Sequence, residues 1–173
     1  RVACTLQFAG VKSVAILDGG HDKWVKDKKP LSMVIVRPMA VRYKNKVNPV
    51  MIADKQYVVE RLKTALLVDV REEDYFTGKK KMDCIARRGH IPCAVNLPTS
   101  WIFTADRTHK SPAELAAIAA KVLGTDKSKT IITYCDTGQC CPTWAFILKE
   151  LLGYKEVRVY DRSEERRVGK ECR

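Results

Sequence analysis

At 173 residues, 46% of them apolar, the chain can bury one full domain plus a fragment, and no apolar run is long enough to span a membrane. The net charge of +12 is unevenly placed: residues 1–47 carry ten basic and three acidic side chains, whereas 48–161 carry seventeen and fourteen. No basic stripe interleaved with aromatics is present, so the surplus fits a solvated linker and surface and argues against a nucleic-acid partner.

Seven cysteines at irregular spacing (Cys4, Cys84, Cys93, Cys135, Cys140, Cys141 and Cys172) do not form a secreted disulfide framework. Cys135, Cys140 and Cys141 lack a CxxC pair or a nearby histidine, so neither a metal nor another cofactor is expected. The chain opens on Arg1 without a methionine, inside a predicted helix, so the natural N-terminus is expected to be missing.

In chain order, Arg1–Ala9 reads as the end of an amphipathic helix closed by Gly10, and Ser13–Leu17 as a short strand. Gly19-Gly20 turns the chain into a short helical piece, His21–Lys28, carrying Trp24. Pro30 to Val47 is a basic, irregular linker. Asp54 is a predicted N-cap for a helix through Lys63, with Val58, Val59 and Leu62 facing inward. Ala65–Val70 is a buried strand of the kind found in parallel sheets, with Asp69 and Arg71 expected to point oppositely from its end. Lys79-Lys80-Lys81 lies in an exposed loop. Gly89–Pro98 holds a turn and a strand at Ala94–Leu97, and its His90 is a candidate catalytic base.

Ser111-Pro112-Ala113-Glu114 is a capping box with proline in the first turn. Leu115, Ile118, Ala119, Val122 and Leu123 follow at helical spacing, and Gly124 stops the helix. Thr130–Tyr134 is apolar and β-branched, a buried strand. Pro142 then fits the first turn of a helix whose stripe is Phe146, Ile147, Leu148, Leu151 and Leu152, ended by Gly153. Between them lies the loop Cys135-Asp136-Thr137-Gly138-Gln139-Cys140, in which Gly138 permits a positive φ. A loop curled onto a helix start aims backbone N–H groups inward and stabilises an anion at its centre. Cys135 is thereby a candidate thiolate nucleophile; the plainer alternative is an inert buried cysteine ending a strand. Strands alternating with helices indicate an α/β domain with a mostly parallel sheet.

This loop resembles the active-site loop of rhodaneses (sulfurtransferases), many of which read Cys-x-x-Gly-x-Arg. Three further pieces match that family in order and spacing. They are Leu67-Val68-Asp69-Val70-Arg71 with Tyr75 and Gly78, Gly89-His90-Ile91-Pro92-Cys93-Ala94-Val95-Asn96-Leu97-Pro98, and Leu17-Asp18-Gly19-Gly20 with Trp24. An internal repeat aligns Ala9–Asp18 with Leu152–Asp161, so 1–32 is expected to be the C-terminal remnant of a first rhodanese-like domain. Residues 33–47 then form the linker and 48–161 a second, catalytic domain lacking its final helix. Residues 162–173 resemble an in-frame translation of a short-read sequencing adapter and are expected to be artefactual.

The resemblance implies a sulfur transfer through a Cys135 persulfide, from thiosulfate or a similar donor to cyanide or a thiol. It implies a cradle of N–H groups from Asp136, Thr137, Gly138, Gln139, Cys140 and Cys141, with Asp69, Arg71 and His90 as structural support. In this family the equivalent histidine braces a loop. Three departures stand out. Cys140 occupies the place of the common Arg, Asp136 adds a negative charge, and Cys93 replaces a common Gly. The first two are expected to weaken attraction for a doubly charged donor, the third to strain the backbone. Cys140 and Cys141 either resolve the persulfide to a disulfide or merely pack the helix start. The rivals are a 3-mercaptopyruvate sulfurtransferase and a non-catalytic rhodanese-like binding or regulatory module. A phosphatase is disfavoured, because that related loop is one residue longer and ends in Arg.

Overall fold

Short β-branched runs separated by helices pair in parallel, because each connection carries the chain back across the sheet before the next strand begins. The computed structural model, which describes residues 1–44, 46–83 and 85–161, shows five such strands. They are β1 (Ile52–Ala53), β2 (Leu66–Asp69), β3 (Val95–Asn96), β4 (Thr130–Tyr134) and β5 (Glu156–Tyr160), in the order β1-β5-β4-β2-β3 with every pairing parallel. The helices are α1 (Val2–Phe8), α2 (Gly20–Lys26), α3 (Lys55–Glu60), α4 (Glu73–Phe76), α5 (Pro112–Leu123) and α6 (Cys141–Phe146). The expected α/β class and mostly parallel sheet are thus observed.

β4 is central, and Ile131 to Tyr134 are buried. Alternation along it feeds two cores. Ile131 packs with Val68, Leu115, Ala119, Trp144 and Leu148 on one face. Ile132 and Tyr134 pack with Leu67, Val58 and Tyr160 on the other. The Trp144 indole is fully buried and its N–H donates to the Pro98 carbonyl at 3.1 Å, which ties α6 to the loop after β3. Emptying that site by Trp144→Ala would cost about 3–5 kcal/mol.

Local signals were reliable where capping chemistry fixes them. The Asp54 carboxylate accepts the Tyr57 N–H at 2.8 Å, and Ser111 and Glu114 form both halves of the capping box. Gly10, Gly124 and Gly153 all have positive φ where the chain leaves a helix.

Four expectations are corrected. Ser13–Leu17 forms no strand: among the described residues nothing pairs with it, and Leu17 is 58% exposed. α3 ends at Glu60 because turns closed by Thr64 and Ala65 N–H groups onto the Arg61 carbonyl take up the following residues. Leu151 is half exposed, because α6 continues as a π-helical turn, Ile147–Leu151, closed by the Leu152 N–H on the Ile147 carbonyl at 2.9 Å. That extra residue rotates Leu151 outward and leaves Leu152 in the core. Asp69 and Arg71 do not diverge, since residues i and i+2 of an extended chain share a side.

The N-terminal segment packs onto the domain. The Cys4 thiol lies 3.3 Å from the Pro142 carbonyl, and the Asn48 N–H donates to Phe8 at 2.7 Å. The adapter-like stretch 162–173, and Cys84 and Cys172 with it, lie outside the described residues.

Candidate active site

β4 delivers Cys135 to the C-terminal edge of the sheet, where ligands of parallel sheets bind. The loop Cys135–Cys140 then curls back to the start of α6, so one turn of backbone surrounds one sulfur. Gly138 sits at φ +66, and a Cβ there would collide with the Asp161 carboxylate at the end of β5. The positive φ favours glycine, and any Cβ there would also require the Asp161 carboxylate to shift.

Cys135 is 3% exposed and forms part of a pocket of about 180 Å³ walled by Arg71, Glu72, Tyr75, Met82, Thr99 and Cys140. Its sulfur lies 3.5 Å from that of Cys141, which is fully buried. The Cys140 and Cys141 thiols and both their backbone N–H groups donate toward Cys135. Together they outweigh burial and lower its pKa to about 2. The two donors move the other way: hydrogen bonding to Cys135 and burial push Cys140 and Cys141 far up. Of the three thiols, the loop thus favours ionisation of Cys135.

Arg71 fixes the surroundings of that loop. Its guanidinium donates twice to Asp69 (Nε–Oδ1 2.9 Å, Nη2–Oδ2 2.6 Å), once to Asp136 (Nη1–Oδ1 3.0 Å) and once to the Gly89 carbonyl (2.7 Å). All three side chains are buried. The Asp136 carboxylate, expected to repel an anionic donor, is therefore held in an ion pair with Arg71. Asn96 and Thr99 add hydrogen bonds to the carbonyls of Asp69, Val70 and Arg71.

His90 stands outside this pocket. Its exposed ring stacks on Phe76 at 3.7 Å, and Nδ1 donates to the Phe76 carbonyl at 2.7 Å, which staples the two ends of the loop after α4. Thr137 and Cys140 line the pocket with Cys135, whereas Gln139 is exposed at the loop's outer edge. Cys93 is exposed with φ +65, a left-handed conformation that strains a side chain with a Cβ. Glu72, Met82 and Thr99 were missed as pocket walls by sequence reasoning; Glu72 and Thr99 directly follow the quoted motifs, while nothing local marks Met82.

The rhodanese-like domain family matches residues 54–165. A Mycolicibacterium smegmatis protein named "Putative thiosulfate sulfurtransferase" is 40% identical over 162 residues, covering 89% of this chain and 58% of that protein. Sulfur carrier protein TtuD of Thermus thermophilus is 32% identical over 169 residues, covering 91% of this chain and 59% of its own length. The chain therefore spans less than two thirds of these relatives. Among solved structures, the anaerobic ergothioneine biosynthesis enzyme of Chlorobium limicola, in complex with trimethyl histidine, superposes with a TM-score of 0.81 at 26% identity. That match covers 94% of this chain and 41% of the enzyme. A parallel sheet carrying a cysteine loop at its C-terminal edge, together with a family match across 54–165, makes this chain a member of the rhodanese-like domain family.

Proposed function

We propose that the domain is a sulfurtransferase that moves a sulfane sulfur from thiosulfate or a similar donor to a thiophilic acceptor through a Cys135 persulfide. The observation that carries this is Cys135 in the pocket, 3.5 Å from the Cys141 sulfur and enclosed by its own loop, whose hydrogen bonds lower its pKa. The Cys135 thiolate attacks the outer sulfur of thiosulfate; the sulfur–sulfur bond of the donor breaks and sulfite leaves. The persulfide anion occupies the cradle offered by the N–H groups of Asp136 to Cys141. Cyanide or a thiolate then attacks the outer sulfur and carries it off, restoring the Cys135 thiolate. No proton moves in either step with cyanide, so no general base is needed and His90 is left to brace its loop. Asp69 and Arg71 position the loop through Asp136.

The names of the relatives support sulfur transfer, and one matching solved structure, at 25% identity and a TM-score of 0.81, is of an enzyme called EanB in a cysteine-persulfide form. The sequence repeat, with positive φ at both Gly10 and Gly153, supports treating 1–32 as the remnant of a preceding similar domain. One feature favours a second donor: Cys140 supplies no charge where many rhodaneses carry Arg. That suits singly charged 3-mercaptopyruvate better than dianionic thiosulfate.

The test is intact-mass measurement after incubation with thiosulfate and, separately, 3-mercaptopyruvate, with Cys135→Ser as control. One added sulfur on wild type, absent from Cys135→Ser and removed by cyanide, is the expected result. No adduct from either donor on a folded chain would move the assignment to a binding module.

A further inference from the structure

The sulfur-transfer chemistry just proposed uses one cysteine, yet three are gathered at the loop, and their placement is not equivalent. Cys140 is exposed and lines the pocket beside Cys135. Cys141 is fully buried, is not a wall of that pocket, and belongs to the hydrophobic core beneath α6. Its sulfur is nevertheless 3.5 Å from that of Cys135, about van der Waals contact for two sulfurs. A donor reaches Cys135 from the pocket, so the sulfur it leaves projects to the pocket side. Cys141 touches the Cys135 sulfur without being a wall of that pocket. Displacement at the Cys135 sulfur needs an attacker in contact with it that does not share the side of the leaving sulfur, and a neighbour outside the pocket wall meets that need.

We propose that Cys141 resolves the Cys135 persulfide, releasing the outer sulfur as hydrosulfide and leaving a Cys135–Cys141 disulfide that an external dithiol resets. This rests on the persulfide assigned above and adds a second outcome for it, the reductive release of sulfide. The step balances. The Cys141 sulfur forms a bond to the Cys135 sulfur as the bond between Cys135 and the outer sulfur breaks. The electron pair of that bond leaves with the outer sulfur, which takes the proton of the Cys141 thiol and departs as HS⁻. The sulfane sulfur is reduced by two electrons, and the two cysteines are oxidised to a disulfide. A dithiol entering through the pocket attacks the disulfide at Cys135, leaves as its own disulfide and returns both cysteines to the reduced state.

The hydrogen bond to Cys135 and burial both raise the Cys141 pKa, so the reaction is slow beside direct transfer. An acceptor in the pocket takes the sulfur first, and sulfide is released when no acceptor arrives. Cys140 also contacts Cys135, but it lines the pocket, from which it can reach the outer sulfur. Attack from there would pass the sulfur to Cys140 as a new persulfide and release nothing. The two cysteines therefore predict different products.

The experiment is a single turnover of the whole chain. Reduced protein is loaded with thiosulfate, excess donor is removed, and no acceptor is added. Sulfide is trapped with monobromobimane while intact mass is followed. The expected course is a gain of one sulfur, then conversion to a species two hydrogens lighter than the reduced protein, with one sulfide per chain. Fragment spectra should join Cys135 to Cys141. Loaded Cys141→Ala should hold its extra sulfur at least about ten-fold longer than wild type. The added sulfur itself reports whether the variant has folded and loaded; if Cys141→Ala does not load, the linkage mapped in wild type decides. A wild-type adduct that persists without sulfide, or a disulfide mapped to Cys140, overturns the inference and leaves sulfur transfer standing. No adduct at all overturns both.

Discussion

Arg71 donates to Asp136 at 3.0 Å across 65 positions of sequence, and this one ion pair joins the end of β2 to the loop that carries Cys135. The same guanidinium satisfies Asp69, so two buried carboxylates depend on a single cation. Removing it breaks both ion pairs, and breaking a buried pair in this way costs about 3–5 kcal/mol. Arg71→Met is expected to lose about that much stability in urea unfolding. Asp136→Asn should cost less than half as much, because Arg71 keeps Asp69 and the Gly89 carbonyl. Equal losses from the two variants would show that Asp136, not Asp69, anchors the network.

A thiolate whose pKa is lowered to about 2 is present above that value and lost only as pH falls toward it. Alkylation of Cys135 by iodoacetamide is therefore expected to vary little between about pH 5 and pH 9, where an ordinary cysteine near 8.5 gains about ten-fold per unit until it titrates. Cys140→Ala and Cys141→Ala each remove a donor and should move the onset of reactivity to higher pH. A wild-type profile rising through pH 8 would mean that burial outweighs those donors.

Gly138 faces two separate demands, a positive φ and the Asp161 carboxylate pressed against it. Gly138→Ala is expected to distort the loop and lower kcat/KM for sulfur transfer by at least about a hundred-fold, equivalent to about 2.7 kcal/mol. Adding Asp161→Gly relieves the collision but not the backbone conformation, which alone costs about 1–2 kcal/mol. The double variant should therefore recover activity only in part. Full recovery would assign the whole effect to Asp161.

What the sequence disclosed follows from the range of the forces involved. The Ser111–Glu114 box, the Asp54 cap and the proline at the start of α6 are set by residues within one helical turn, and they were legible. The loop from Cys135 to Cys140 was legible because a β-branched strand and a capped helix bracket it. The Arg71–Asp136 pair was not, since it depends on where parallel β2 and β4 come into register, with Asp69 beside Tyr134. Met82 and Thr99 became pocket walls only through packing, and Leu151 was misplaced because a π-turn leaves a 3.6-residue pattern almost intact. Ser13–Leu17 has the composition of a strand, but hydrogen bonds to a neighbour, not composition, make one.

Cys93 pays a local penalty at φ +65. Glycine removes the steric cost of about 1–2 kcal/mol but adds about 0.5–1 kcal/mol of unfolded-state entropy. Cys93→Gly is accordingly expected to stabilise the chain by about 0.5–1 kcal/mol, seen as a higher urea midpoint at unchanged slope. An exposed side chain that contributed nothing would give this gain, whereas a loss of stability would reveal a contact that offsets the strain.

Donor choice turns on Cys140. It lines the pocket with Cys135, and no loop residue from Cys135 to Cys140 carries a positive charge. Attraction scales with the charge of the donor, so a cation placed here favours dianionic thiosulfate over singly charged 3-mercaptopyruvate. Solvent at the pocket mouth screens much of the gain, leaving about 1–2 kcal/mol. Cys140→Arg should therefore raise kcat/KM for thiosulfate about ten-fold, mostly through KM, and raise the 3-mercaptopyruvate value by less. The effect should shrink as ionic strength rises, because screening weakens a Coulombic attraction but not a packing contact. Equal gains for both donors, insensitive to salt, would locate the influence of Cys140 in loop packing. In that event its missing charge would carry no information about the natural donor.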